Sequence, residues 1–150
     1  MKKYTLIIGI FLIITLLDGV LKYVAIANFP PENTPALSPI LAFVFHKNPG
    51  ITFDLPIPFL IIAPITVAII LWLARRARTV SHDQPRVTLG IIAIIIGAVD
   101  NFIDRVINGF TTDYLMFFKT SVINLADLLI LFGAITLLVY YKANPHQQRA

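Results

Sequence analysis

The chain reads as an all-α integral membrane protein, four transmembrane helices carrying a small β element on the outer surface. Three observations predict this. Of 150 residues, 57% are hydrophobic and only 13% charged, against about 25% charged in an ordinary soluble domain. The mean hydropathy is +0.82, more apolar surface than a soluble fold of this length can hide from water and far too much for a disordered chain. The apolar residues also gather into four runs near the roughly 20 residues that a bilayer core demands.

The first run, residues 4–27, is pure hydrocarbon from Tyr4 to Leu17 and continues through Asp18 and Lys22 to Ala27. Lys2, Lys3, the apolar stretch and Ala25-Ile26-Ala27 mimic a cleavable secretory signal, but about ten residues with two charges separate that site from the apolar core. Between Asn28 and Asp54, five prolines (Pro30, Pro31, Pro35, Pro39 and Pro49) rule out a helix. There Leu41–Phe45 and Ile51–Leu55 flank the turn formers of His46-Lys47-Asn48-Pro49-Gly50, predicting a β-hairpin or small sheet over roughly residues 40–55. The second run, Leu55–Ala74, holds no charge. The third, Val87–Ile107, is interrupted late by Asp100, Asn101, Asp104 and Arg105, and the fourth, Thr120–Tyr141, carries Asn124 and Asp127 near its start. These spans and the outer β segment make one membrane domain, residues 1–150, without internal repeats.

The net charge of +4 and pI near 9.6 do not point to nucleic acid, because the basic residues sit in short clusters between apolar runs. With the N-terminus inside, the cytoplasmic side holds Lys2, Lys3, Arg75, Arg76, Arg78, Arg86, Lys142 and Arg149. The other side holds Lys22, Lys47, Arg105 and Lys119. Eight against four favours both termini in the cytoplasm. Only Asp83 lies in the cytoplasmic loop; Asp18, Glu32, Asp54, Asp100, Asp104, Asp113 and Asp127 fall outside or in the outer part of a span. The chemistry is therefore expected near the outer boundary. The lack of cysteine excludes disulfides, thiol nucleophiles, zinc–thiolate sites and iron–sulfur clusters in this chain.

Charges at a helix centre cost about 2.5–3.5 kcal/mol each on insertion scales, so each demands a reason. Asp18 and Lys22, at i and i+4, predict an ion pair at the outer end of the first helix, with Lys22 reaching to the headgroups. Asn101, Asp104 and Arg105 share a helical face, and Asp104 with Arg105 reads as a structural pair. Asp127 lies about two turns inside the last span, one turn after Asn124, with no basic residue in helical reach. Gly109 breaks the third helix, letting the segment with Asp113 run extended towards the top of the fourth, where the two carboxylates approach.

Two close carboxylates cannot both ionise easily and share a proton. One then acts as base on water, while the other protonates an amide carbonyl and later the leaving nitrogen. Spacing leaves other readings open: a small proton-coupled transporter with Asp127 as carrier, or a divalent-metal site of Asp and Asn oxygens. A transporter needs a polar path inward, and Leu128–Tyr141 offers only Thr136 before Tyr140, and Leu55–Ala74 only Thr66. A structural subunit whose polar residues merely pair helices leaves the gathering of acids at one depth unexplained.

Four blocks of sequence, in order, resemble the lipoprotein signal peptidase (signal peptidase II) family of aspartic intramembrane peptidases. Asp18-Gly-Val-Leu-Lys22 resembles its D-x-x-x-K, and Asn48-Pro-Gly50-Ile-Thr-Phe53 its N-x-G-x-A-F. Gly97-Ala-Val-Asp-Asn101-Phe-Ile-Asp104-Arg105, with Gly109 and Asp113, resembles G-A-x-G-N-x-x-D-R-x-x-x-G-x-x-x-D. Asn124-Leu-Ala126-Asp127, with Ile130 and Gly133, resembles N-x-A-D-x-x-I-x-x-G. The resemblance implies that Asp113 and Asp127 are the catalytic pair. Asn48, Gly50, Asn101, Arg105, Asn124 and Ala126 would line or brace the site, and Asp18, Lys22 and Asp104 would hold it together. It implies a four-span fold with an outer β-cradle, diacylglyceryl-modified prolipoproteins cut before the lipidated cysteine, and action at the outer face of the bacterial cytoplasmic membrane. Membrane lipid as surroundings, globomycin-type inhibitors, and neither metal nor organic cofactor are likewise implied. Three departures stand out: Asp100 where the family usually has Gly, Thr52 in place of Ala, and a short linker between Asp113 and Asn124. They leave a catalytically impaired relative as an alternative.

Overall fold

The computed structural model describes residues 2–29, 40–50, 57–80, 84–118 and 120–142. Along the chain these form α1 (Lys2–Asn28), β1 (Leu41–Asn48), α2 (Phe59–Val80), α3 (Pro85–Asn108), β2 (Thr111–Phe117), β3 (Ser121–Ile123) and α4 (Leu125–Lys142). The protein is mostly helical, with one small sheet. Glu32, Asp54 and Asp83, the prolines from Pro30 to Pro39, and the proposed second strand Ile51–Leu55 with Thr52 lie outside the described residues.

Three helices are long and apolar enough to cross a membrane, over Tyr4–Asn28, Phe59–Val80 and Pro85–Asn108, and Leu125–Tyr140 is a shorter apolar helix. Hydrocarbon covers their outer surfaces: Leu6, Ile13, Leu16, Leu60, Ile65, Trp72, Ile107 and Leu138 are all exposed. Such surfaces suit lipid tails, and helices satisfy their own backbone groups where no water can.

The bundle is organised around α3. Its buried residues are Val87, Gly90, Ile91, Ala93, Gly97, Asn101 and Asp104. The same face thus passes from hydrocarbon at its N-terminal end to polar groups at the other. Val87 and Ile91 pack with Leu73 and Val80 of α2, and Ala93 packs with Phe11 of α1 and Leu129 of α4. α3 and α4 approach through small residues: a Cβ on Gly97 would stand 2.5 Å from the Ala126 carbonyl oxygen, and one on Gly133 would run into the Gly90 carbonyl. Gly90 and Gly97 are seven residues apart, as are Ala126 and Gly133, so antiparallel small-residue faces meet at two levels. α3 ends as expected at Gly109, which takes a left-handed φ of 81° and donates its N–H to the Arg105 carbonyl.

The sheet corrects one expectation. Its order is β1-β2-β3, antiparallel throughout. β1 therefore pairs with β2, more than sixty residues on, while Ile51–Leu55, the local partner expected for it, lies outside the described residues. His46, Lys47 and Asn48, read above as turn residues, continue the strand and pair with Asp113, Thr112 and Thr111. The physical reason is burial: Thr111 to Tyr114 are covered on both faces, and a covered strand must satisfy its backbone groups with a partner. β2 and β3 form the hairpin instead, closed by a Thr120 N–H to Phe117 carbonyl bond of 3.0 Å and a left-handed Phe118. The short linker after Asp113 is this hairpin. Because Ser121–Ile123 is strand, the last helix starts at Leu125, later than its apolar run.

Candidate active site

The N-terminus of α4 is built from the residues that precede it. The Asn124 side-chain oxygen accepts the Asp127 N–H at 2.8 Å, and Asp127 Oδ2 accepts the Asn124 N–H at 3.4 Å. This is the reciprocal geometry of a capping box. Asp127 consequently sits in the first turn of α4, not two turns inside a helix, because capping starts the helix just after Asn124. Asp18 of α1 reaches the same end, its Oδ1 accepting the N–H groups of Leu125 and Ala126 at 2.7 and 3.3 Å and the Tyr114 hydroxyl at 2.7 Å. A buried carboxylate thereby satisfies otherwise orphaned helix donors at the positive end of the dipole. Ala126 is fully buried where α4 meets Gly97.

Asp113 arrives from the sheet. It is 1% exposed, its Oδ1 accepting the Asn124 side-chain amide at 2.7 Å and its Oδ2 that of Asn48 at 3.1 Å. The register explains why Asn48 can reach it. Between Phe43 and His46 the pairing shifts by one residue, a bulge that re-aims everything after it. Without it, Phe45 would oppose Asp113; with it, His46 does, and Asn48 lies diagonally across on the same face. Asn48 is itself held by the Gly50 N–H, donated to its Oδ1 at 3.1 Å. Burial, and next the negative charge of Asp127, push the Asp113 carboxyl up to about 7, against the pull of the Asn48 and Asn124 amides and of nearby His46.

Asn101 of α3 ties the two acids to a buried cation. Its side-chain NH2 donates to Asp127 Oδ1 at 2.8 Å, and its oxygen accepts from Asn124 at 3.2 Å and from the Lys22 ammonium at 3.1 Å. Lys22 does not reach to the headgroups: it is 5% exposed and turned inward. Its Nζ stands 2.7 Å from Asp18 Oδ2, 2.7 Å from Asp100 Oδ2 and 3.5 Å from Asp104 Oδ2. Three carboxylates and an amide replace the water an ammonium would find at the surface, which is what its burial requires.

The Asp104–Arg105 pair also fails to form. Asp104 accepts the Thr112 N–H at 2.6 Å, the Thr112 hydroxyl at 3.3 Å and the Asn108 amide at 2.7 Å, fastening α3 to β2. Arg105, one residue on, donates to the Gly50 carbonyl at 2.8 Å, and its charge acts on Asp127 and Asp113 and, less strongly, on Asp104. Successive helical residues point about 100° apart, so a buried Asp104 leaves Arg105 free to turn to the β1 end.

The structure thus brings Asp113 and Asp127 onto one side-chain amide, that of Asn124, and surrounds them with Asn48, Gly50, Asn101 and Arg105. Asp18, Lys22 and Asp104 lie behind. Sequence reasoning missed Tyr114, Thr112 and His46. A buried tyrosine beside a functional Asp in an extended segment is the one signal that pointed to Tyr114, since its hydroxyl must find a partner. Chemically, a buried acid pushed up to about 7 beside a half-buried one can hold one proton between them and take one from water.

The family model described as "Signal peptidase (SPase) II" matches residues 10–142. Among relatives, the lipoprotein signal peptidase of Moorella thermoacetica is 30% identical over 84% of this chain and 85% of its own. That of Bartonella tribocorum is 33% identical over 82% and 78%, and that of Bartonella bacilliformis 32% over 91% and 86%. In fold, the chain is similar to a bacterial membrane enzyme solved in meso at 2.3 Å, with a TM-score of 0.82 at 20% identity over 97% of this chain and 92% of the other. A second such enzyme, solved at 1.9 Å, gives a TM-score of 0.72 at 21% identity, over 91% and 92%.

Proposed function

Because the chain belongs to the signal peptidase II family, we propose that it removes the signal peptide from diacylglyceryl-modified prolipoproteins as an aspartic endopeptidase, with Asp113 and Asp127 as its catalytic pair. Family membership makes it a membrane protease acting on prolipoproteins. The observation that carries the catalytic reading is the shared grip of Asn124, whose side chain holds Asp113 at 2.7 Å and the Asp127 N–H at 2.8 Å.

In the proposed reaction the pair binds substrate with one shared proton. The ionised carboxylate takes a proton from water, the hydroxide formed attacks the carbonyl carbon before the lipidated cysteine, and the protonated partner delivers its proton to the carbonyl oxygen. Collapse of the tetrahedral intermediate breaks the C–N bond. The proton gained from water passes to the departing nitrogen, while the hydroxyl proton returns to the other carboxylate and restores the starting state. Asn48, Asn101 and Asn124 orient the carboxylates. Arg105, whose Nε has no hydrogen-bond partner among the described residues, lines the substrate path with Gly50. Asp18, Lys22 and Asp104 lock α1, α3, β2 and α4 in register, and Ala126 lets α4 lie close to α3.

The reading extends to the membrane. The chain is read as one membrane domain, residues 1–150, with four spans, and the close packing of α4 on α3 at two small-residue levels supports α4 as the fourth. The Lys and Arg distribution puts both termini in the cytoplasm and the site at the outer face of the bacterial inner membrane. The substrate's acyl chains stay in lipid between helices, each buried CH₂ adding about 0.8 kcal/mol of binding, and globomycin-type peptides compete there. A proton-carrying role is disfavoured by Thr136, whose hydroxyl is turned to the Phe132 carbonyl at 2.8 Å and opens no polar path inward.

The test is cleavage of a diacylglyceryl-modified prolipoprotein by purified protein, beside the unlipidated form and the Asp113→Asn and Asp127→Asn variants. Cleavage of the lipidated form alone, lost in both variants, is expected. A near-normal rate in either folded variant removes the pair as the catalytic machinery.

A further inference from the structure

Asp100 takes part in none of the steps above, yet it is drawn into the site. Its side chain is 17% exposed, while those of Lys22, Asp18 and Asp104 are 6%, 0% and 5% exposed. Its Oδ2 lies 2.7 Å from the Lys22 ammonium, as close as the Asp18 contact one helical turn away. From Lys22 a short polar path leads on: 3.1 Å to the Asn101 oxygen, then 2.8 Å from the Asn101 NH2 to Asp127 Oδ1. The same Asn101 oxygen accepts from Asn124, which donates to Asp113 Oδ1. An ammonium on an amide oxygen polarises that amide and strengthens its N–H as a donor to a carboxylate. The charge left uncompensated on Lys22 is therefore felt by both acids.

We infer that Asp100 is a positioning residue that neutralises part of the Lys22 charge and so keeps the Asp113–Asp127 pair protonated to higher pH than it would be otherwise. The inference rests on the aspartic reading of that pair. Asp18 also faces Lys22, through Oδ2 at 2.7 Å, but its Oδ1 is fastened to the α4 N-terminus and the Tyr114 hydroxyl. Asp104, farther off at 3.5 Å, is held by Thr112 and Asn108; Asp100 is the one of the three that can be replaced without cutting such a bond. Arg105 approaches from the Gly50 side of the site, and His46 from β1 opposite Asp113. Asp100 accepts from the Lys22 ammonium through Oδ2 and shares a carboxyl–carboxyl hydrogen bond with Asp18, so it sets part of a negative charge against Lys22.

The sign follows from electrostatics. Removing a negative charge near two carboxylates favours their ionised forms, so the pair gives up its shared proton at lower pH and the alkaline limb of the rate profile moves towards acid. At an effective dielectric of about 20 and a separation of several ångströms a full charge corresponds to more than about one pH unit. Asp100, hydrogen-bonded to Asp18, carries part of one, so the expected displacement is about half a pH unit or more.

The experiment measures kcat/KM for the lipidated prolipoprotein from pH 5 to 9 with wild-type protein, Asp100→Asn, Asp100→Ser and Asp100→Glu, and with Asp127→Asn as control. The expected result is an alkaline limb displaced to lower pH in Asp100→Asn and Asp100→Ser, restored in Asp100→Glu, with rates at the optimum within a few-fold of wild type. Two neutral variants of different size keep a packing defect in one from deciding the matter. If Asp127→Asn is inactive and the neutral variants leave the limb in place, or lower the rate equally at all pH values, the role of Asp100 is refuted while the catalytic pair stands. If Asp127→Asn cleaves normally, the underlying reading fails first.

Discussion

Asn124 is the residue on which the two acids meet, and Asn124→Ala is the substitution with the most to say. It removes the cap of α4, an acceptor 2.8 Å from the Asp127 N–H, and with it the donor 2.7 Å from Asp113 Oδ1 and 3.2 Å from the Asn101 oxygen. Loss of an N-cap costs about 0.5–2 kcal/mol, and leaving a buried acceptor without its donor costs about 1–3 kcal/mol more. The sum is about 2–4 kcal/mol after allowing for partial relaxation, or roughly 5–10 °C in melting temperature for a chain of this size. Thermal unfolding in detergent micelles measures it. A second readout separates site from scaffold. The Asn124 amide is one of the groups drawing the Asp113 carboxyl down against burial, so its removal moves the alkaline limb of activity to higher pH, opposite to the shift expected for Asp100→Asn. A variant that melts like wild type and keeps its pH profile refutes the placement of Asn124 between the acids.

If Asp113 and Asp127 share the catalytic proton, activity is expected to fall as pH rises through about 7, to which burial pushes the Asp113 carboxyl; a rate still rising at pH 8 contradicts the assignment. Stability carries the same sign. The folded protein holds on Asp113 a proton that an unfolded carboxyl, titrating near about 3.9, has already released. This contribution is present in full below about pH 3.9, declines as the pH rises and is lost as the folded carboxyl ionises through about 7, and Asp113→Asn flattens the decline in a pH series of melting temperatures. Gly97→Ala places a methyl 2.5 Å from the Ala126 carbonyl and is expected to cost about 1–3 kcal/mol by overpacking, whereas a Cβ at Gly9 meets nothing within 4 Å and Gly9→Ala is neutral or slightly stabilising by melting temperature.

Composition was enough to assign this chain to a membrane, because no arrangement of so apolar a sequence can hide from water. Run lengths located the helices, since the thickness of hydrocarbon and the rise per residue leave little choice. The stop at Gly109 and the inward turn of the following segment were equally local, as they depend on the backbone freedom of one glycine. The candidate site residues were legible as anomalies: polar side chains where hydrocarbon belongs, at spacings that put several on one face. Partners were another matter. Asp104 looked paired to its neighbour Arg105, and Lys22 to open water, because sequence spacing ranks neighbours along one helix and knows nothing of other elements. Folding set the Thr112 amide and the Asn108 side chain against Asp104, and three carboxylates around Lys22.

The strand pairing was decided in the same way. Local turn propensity placed a turn at His46-Lys47-Asn48, but the buried segment from Thr111 to Tyr114 pairs with those residues as strand, and a single bulge set which residue opposes Asp113. What the residues could say unaided is which groups resist burial. Which of them come to share a cation or an amide depends on contacts between different elements, from 11 residues apart for Asn124 and Asp113 to 107 for Asp18 and Leu125, where only the packed chain fixes distance and hence the strength of each interaction.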